Sequence, residues 1–262
     1  MSETTKTMGD RAAEGLIRSF AFFIERVPGA IDEAGASGVH LYNFTVPISS
    51  LTGVFALGPE PDPAEIAAFA DKASAFDMPW SIVTRTAPSQ EVVAIAARHG
   101  LTASSTTPLL ARDLVGVESV LVDVPEDATV RKVDGAHAEV FAEALAAGFE
   151  MPKAIADVFA LPSMLDDPAI DAFVLEVDGV AVTTGENVVD GEYVGLYNGA
   201  GRPEYRRNGY FRALVSARLR DSVGKGARFA FTQNTSMSRP LYESLGFRVV
   251  EEWTYLTKPG DD

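Results

Sequence analysis

The chain has 262 residues, 47% of them hydrophobic and 23% charged, a length that holds one large domain or two of about 130 residues and an apolar fraction that excludes disorder. It has no cysteine and three scattered histidines, His40, His99 and His137, which excludes disulfides and thiol nucleophiles and gives no metal-ligand spacing, so no metal is expected. The net charge of −15 opposes nucleic acid and favours solubility, and no run of residues has the length or flanks of a membrane span or secretory signal, so a cytoplasmic protein without a membrane partner is expected.

Leu16, Phe20, Phe23, Ile24 and Val27 lie on one face of a helix predicted over 11–27. Strands are predicted at 38–45 and 53–57. The run Pro59-Glu60-Pro61-Asp62-Pro63 breaks the chain and opens a helix at 64–76. A strand at 79–86, a helix at 89–99 stopped by Gly100, and an extended segment at 101–113 follow. The stretch 114–127 carries acids, Gly116 and Pro125 and reads as a linker.

A second unit begins with a strand at 128–133 and a helix at 136–147. An elbow at Phe149, Glu150, Met151 and Pro152 leads to a helix at 153–161. Strands at 169–177 and 180–189, joined by the hairpin dipeptide Asp178-Gly179, precede a strand at 193–198. The remainder is a helix at 207–223, a strand at 228–233, a short helix at 238–245 and an extended tail at 247–257. The order strand–helix–strand occurs in both halves, and AARHGL at 96–101 echoes YESLGF at 242–247, which suggests two copies of one fold.

The chemistry concentrates between Tyr193 and Phe247. From Arg202 to Arg228, the basic residues Arg202, Arg206, Arg207, Arg212, Arg218, Arg220, Lys225 and Arg228 face only Glu204 and Asp221 in an acidic chain. Arg218 and Arg220 fit a solvated helix face; the loop arginines do not. The loop Arg206-Arg207-Asn208-Gly209-Tyr210-Phe211 follows a strand and opens a helix, where free backbone N–H groups can hold an anion such as a diphosphate. No G-x-x-x-x-G-K-[ST] exists, and Glu204 occupies the third glycine position of a partial G-x-G-x-x-G, which disfavours P-loop and Rossmann sites.

With Arg206-x-x-Gly209 after a strand in YNGAGRPEY, and LYESLGF at 241–247, the chain resembles the GNAT superfamily of acyl-CoA-dependent N-acetyltransferases. It departs at Phe211, where the family's [RQ]-x-x-G-x-[GA] pattern ends in a small residue. The resemblance covers about 128–258 and implies an α/β (α+β) fold with a mixed, mostly antiparallel sheet flanked by helices. It implies a catalytic domain at 119–262 preceded at 1–118 by a degenerate GNAT-like domain without the cofactor motif. It implies that Leu196, Tyr197 and Asn198 pair with the pantetheine arm of acetyl-CoA, with no metal cofactor. Arg206, Arg207, Asn208, Gly209, Tyr210, Phe211 and Arg212 would cradle the diphosphate. Tyr242 would be general acid for the leaving thiolate; Asn234 stands one residue from the position where the family often carries a cofactor-contacting asparagine.

Direct attack by an amine needs a proton acceptor, for which Glu186 and Glu150 are candidates. Phe149, Glu150 and Met151 are candidate acceptor contacts, and Trp80 and Met164 either line a pocket or pack in the core. The acceptor implied is a small-molecule or peptide amine, and the protein a monomer or homodimer. The alternative is a GNAT-like module that binds CoA or a metabolite without turnover.

Overall fold

The computed structural model describes residues 6–261. The chain forms two compact units, neither continuous in sequence. Of the described residues, one unit holds those up to Ser19, Leu110–Thr232 and Ser236–Arg248; the other holds Phe20–Leu109, Gln233–Thr235 and Val249–Asp261.

The chain opens with helix α1, Met8–Ile24. In the second of these units β1 (Ile31–Ala34), β2 (Val39–Asn43) and β3 (Thr52–Ala56) form an antiparallel meander. Helix α2 (Pro63–Ala73) then leads to β4 (Ser81–Thr84), parallel to β3. Helix α3 (Gln90–Arg98) and the long strand β5 (Ala103–Asp113) follow. Residues of β11 (Arg248–Thr257) return to pair antiparallel with β4. Strand β1 escapes sequence reading because all four of its residues are exposed, leaving no apolar alternation. The core joins Ile66, Phe69, Trp80, Ile82, Ile95 and Leu256, so Trp80 is a packing residue.

The other unit is built on β6 (Ala128–Val133), β7 (Ile170–Val177), β8 (Val180–Asp190) and β9 (Tyr193–Gly201), an antiparallel meander, with β10 (Phe229–Gln233) added parallel to β9. Asp178 and Gly179 both have positive φ, as a two-residue hairpin requires. The helices of this unit are α4 (Ala138–Phe149), α5 (Lys153–Val158), α6 (Pro162–Leu165), α7 (Tyr210–Gly224) and α8 (Arg239–Ser244).

The strand period of two sorts β7 between two cores. Ala172 and Val174 join Phe141 and Leu145 of α4 on one face. Phe173, Leu175 and Val177 join Ala213 and Leu214 of α7 on the other. Met164 is fully buried. Both units thus show a mixed, mostly antiparallel sheet flanked by helices, as the sequence suggests. The helix predicted from 207 begins at Tyr210, because Gly209 is its cap; the helix predicted at 153–161 ends at Val158, and Pro162 opens a further short helix, α6.

Candidate active site

The parallel pairing of β9 with β10 covers three positions, Tyr193–Phe229, Val194–Ala230 and Gly195–Phe231. Thr232 Oγ1 then donates to the Leu196 carbonyl, 2.9 Å, and beyond this point β9 runs on to Gly201 registered with β8. The two strands therefore open into a wedge. In the other unit the corresponding parallel step, β3 to β4, keeps register from Gly53–Ser81 through Ala56–Thr84 and leaves no such opening.

At the mouth of the wedge β9 carries a bulge. Thr184 pairs with Ala200 and Glu186 with Tyr197, so Asn198 and Gly199 together oppose Gly185. Asn198 takes a left-handed φ of 51°, which such an extra residue exploits to re-aim the strand. The carbonyls of Leu196, Tyr197 and Asn198 accept from Thr232 Oγ1, Arg218 Nη2 and Thr184 Oγ1 respectively. Each carbonyl keeps a second lone pair.

Tyr242 reaches this bulge from α8. A Cβ added to Gly199 would lie 3.6 Å from the Tyr242 hydroxyl and 2.9 Å from the Phe211 ring. The Tyr242 ring is buried edge-on against Phe247, centroids 5.3 Å apart, and Phe211, 6.4 Å apart. The Leu-Gly-Phe sequence fixes it there: Gly246 is left-handed, and the Phe247 N–H reaches back to the Tyr242 carbonyl at 3.1 Å. Burial raises the Tyr242 pKa, and the charge of Arg218 works against that rise.

Glu186 sits beside the bulge with no solvent exposure. Burial pushes its carboxyl up to about 8, against the opposing effects of the Asn198 hydrogen bond and the Arg218 charge. Asn198 Nδ2 donates to Oε2 at 2.5 Å; Oε1 is buried with no hydrogen-bond partner.

Helix α7 begins at the loop singled out by sequence. Gly209 caps it with φ 83° and no side chain, so the first-turn N–H groups face outward without a side-chain acceptor. Arg207 is also left-handed and pairs with no carboxylate among the described residues. Arg212 Nε is buried without a partner, while its Nη2 donates to the Val120 carbonyl at 3.4 Å. Arg206 is engaged in the fold: it donates to the carbonyls of Gly201 (3.0 Å) and Gly148 (2.9 Å), and lies 3.4 Å from Glu150. The Tyr210 hydroxyl donates to Asp127 at 2.7 Å, and Asn208 Nδ2 to the Tyr205 carbonyl at 3.4 Å.

The other unit closes the same position. Asp62 caps α2 by accepting from the Ala64 N–H at 2.9 Å, and Pro63 contributes no donor. The Glu65 carboxylate, one turn in, accepts the backbone N–H groups of Ala36 and Ser37.

The elbow candidates stand at the end of α4, which meets the loop through Arg206. Glu150 is a left-handed cap of α4 with an exposed side chain on Arg206, Phe149 is exposed, and Met151 packs on the α4 core. Asn234 is buried, its N–H donating to the Pro108 carbonyl.

Arg218 departs most from the sequence reading. A solvated basic face is expected; instead its side chain is fully buried under β8 and β9. Arg220, two residues on, does lie partly in solvent beside Glu118 and Asp123. The signal was spacing: Arg218 falls four residues after Leu214 and four before Ser222, on the face α7 buries.

No family model and no curated protein matches the sequence. Among solved structures, a GCN5-related N-acetyltransferase from Kribbella flavida superposes with a TM-score of 0.67 over 96% of each chain at 20% identity. A GCN5-related N-acetyltransferase-like protein from Streptococcus suis matches with a TM-score of 0.60 over 94% of this chain and 98% of its own, at 13% identity. A putative GNAT-family acetyltransferase from Novosphingobium aromaticivorans gives 0.53 over 89% and 94%, at 16% identity. Among the described residues no helix is long and apolar enough to cross a membrane. The strand wedge, the bulge and the glycine-capped helix are thus set in a chain that carries the fold of the GCN5-related N-acetyltransferases.

Proposed function

We propose that the chain is an acyl-CoA-dependent N-acetyltransferase that moves an acetyl group from acetyl-CoA to an amine by direct attack. The observation that carries this reading is the convergence of the opened β9–β10 wedge, the Asn198–Gly199 bulge and the Tyr242 hydroxyl on one point. Residues 119–262, joined by α1 residues up to Ser19 and without Val249–Asp261, supply the catalytic domain, and the rest of residues 1–118 a GNAT-like domain without a cofactor site, in keeping with its Asp62-capped helix start.

The donor set fits the co-substrate. Open N–H groups at the start of α7, the unpaired Arg207 and the orphaned Arg212 Nε suit a diphosphate. Arg206 serves by holding the loop to α4 and β9. Residues Leu196, Tyr197 and Asn198 offer backbone to an extended amide-bearing arm.

In the transfer, Glu186 accepts the proton of the attacking amine as the N–C bond forms. Tyr242 gives its proton to the sulfur as the C–S bond breaks. A carboxyl held at about 8 is mostly protonated at neutral pH, and its basic form grows as the pH rises through that value.

The partner is a small-molecule or peptide amine, and no metal is needed. A second reading, a module that binds CoA or a metabolite without turnover, is favoured by one observation: the Phe211 ring lies against Gly199 beside Tyr242 and narrows the wedge. Calorimetry with acetyl-CoA, followed by thiol release with a panel of amines, separates the two. Binding at one site per chain with amine-dependent thiol release supports the transferase; binding alone supports the module.

A further inference from the structure

A fully buried arginine in the middle of a helix needs an account, because burial of an unpaired charge is costly. Arg218 has no carboxylate in salt-bridge contact among the described residues. Its partners are neutral acceptors. Nε donates to Asn187 Oδ1 at 2.8 Å, and Nη2 donates to the carbonyls of Glu186 at 2.5 Å and Tyr197 at 3.1 Å. Those two residues face each other across β8 and β9, next to the bulge. The guanidinium therefore ties both strands together where the wedge opens.

The surroundings are built to hold it. Asn187 Nδ2 donates to the Arg218 carbonyl and to Ser222 Oγ, so Asn187 presents its oxygen to Nε. Ser222 Oγ in turn donates to the Arg218 carbonyl at 3.0 Å. Gly185, the residue opposite the bulge, supplies the room: any Cβ there would overlap the guanidinium. One donor nitrogen, Nη1, remains buried with no acceptor, although a purely structural clamp would be expected to satisfy it.

Arg218 lies against Gly185 and Tyr242 against Gly199, residues that oppose each other at the bulge, and the guanidinium interacts with the Tyr242 hydroxyl. We infer that Arg218 is a positioning residue for the proposed transfer: it fixes the bulge through the Glu186 and Tyr197 carbonyls and holds a positive charge beside Tyr242, stabilising the phenolate formed when that residue protonates the departing thiolate. The inference rests on the transferase reading.

The proton balance is closed. The sulfur keeps the electron pair of the broken C–S bond and takes the Tyr242 proton. Glu186 takes the amine proton, and the proton on Glu186 restores Tyr242 through solvent before the next turnover. The charged groups acting on the Tyr242 hydroxyl are Arg218 from α7 and, through Arg218, Glu186 from β8; Phe211 and Phe247 contribute uncharged rings. That Arg218 charge already opposes the effect of burial on the hydroxyl.

The test uses the full chain with 3,5-difluorotyrosine at position 242, its fluorine shift followed against pH. Arg218→Met, Arg218→Gln and Arg218→Lys are compared with the parent, and thermal melting checks folding. Arg218→Met should raise the phenol pKa by about one unit or more. Arg218→Gln keeps amide donors for the strand carbonyls while losing the charge, and should give the same shift should the methionine variant fail to fold. Arg218→Lys should stay near the parent. An unchanged phenol pKa in both neutral variants overturns the inference.

A kinetic cycle adds a second readout. Arg218→Gln should lower kcat about tenfold with little change in the KM for acetyl-CoA, and should cost nothing further in a Tyr242→Phe background. Equal losses in both backgrounds would mean that Arg218 acts only on the fold, and would overturn its role through Tyr242. Absence of transfer to every amine by the parent would overturn the transferase reading, while the fluorine titration would still decide whether Arg218 sets the ionisation of Tyr242.

Discussion

Asn198 Nδ2 donates a 2.5 Å hydrogen bond to Glu186 Oε2 across the β8–β9 pair, so the bulge that shapes the wedge also holds the buried carboxylate. Burial raises that carboxyl to about 8, and the Asn198 donor resists the rise. The rate of acetyl transfer should therefore increase with pH along a limb centred near 8. Asn198→Ala should move this limb to higher pH, because a donor to the charged form is lost. Glu186→Gln should abolish it. A pH profile of kcat for the three proteins checks this, and a limb that survives in Glu186→Gln would assign the base elsewhere.

The same carboxyl makes stability depend on pH. Its folded pKa lies above its ordinary value of 4.5, so the folded state binds the proton more tightly than the unfolded state. Between about 4.5 and 8 the unfolded chain releases that proton while the folded chain keeps it, and stability falls as pH rises. The Tm of Glu186→Gln should drop less between pH 5 and pH 9 than that of the parent. Parallel curves would show that Glu186 titrates normally.

Gly209 and Tyr242 separate binding from chemistry. A side chain at Gly209 would meet no protein atom within 4 Å, but φ is 83°, where a β-branched residue is strained. Gly209→Val should weaken acetyl-CoA binding at least tenfold, about 1.4 kcal/mol. Tyr242→Phe keeps the ring among Phe211 and Phe247 and should leave affinity nearly intact while lowering kcat about 10²-fold. Calorimetry and steady-state rates measure the two effects; unchanged affinity in Gly209→Val would remove the diphosphate loop from the account.

The Phe211 ring covers Gly199 beside Tyr242. Phe211→Ala should open this space and raise the relative rate with propionyl- or butyryl-CoA over acetyl-CoA. Unchanged donor preference would show that the ring does not bound the acyl site.

The termini are integral to the units. Arg11 of α1 stacks 4.0 Å over the Phe229 ring, and Gly15 lies against Phe231. A fragment beginning at residue 125 would bare both β10 aromatics and should lose cooperative unfolding and aggregate more readily. A soluble fragment that melts cooperatively and retains full acetyl-CoA affinity would contradict this.

Local chemistry made the order of elements legible. Asp178-Gly179 and Gly209 before α7 each carry a backbone requirement within a few residues, so the hairpin and the loop could be read directly, whereas the place of Tyr242 rested on the family resemblance. Runs of strand-forming residues between turn signals likewise gave most of the strands, while the sheet came from the family resemblance. The wedge could not be read, because it depends on where β10 stops pairing with β9, a contact between distant segments. Nor could the membership of α1 residues in one unit and of Val249–Asp261 in the other, since no local pattern names a distant partner. Arg206 looked free to meet phosphate until Gly148, Gly201 and Glu150 were brought to it. Arg218 makes the physical reason plain. An arginine on a helix is soluble by default, and it is buried here only because Gly185 leaves room and because Asn187, Glu186 and Tyr197, on strands remote from it in sequence, present oxygen atoms to its guanidinium.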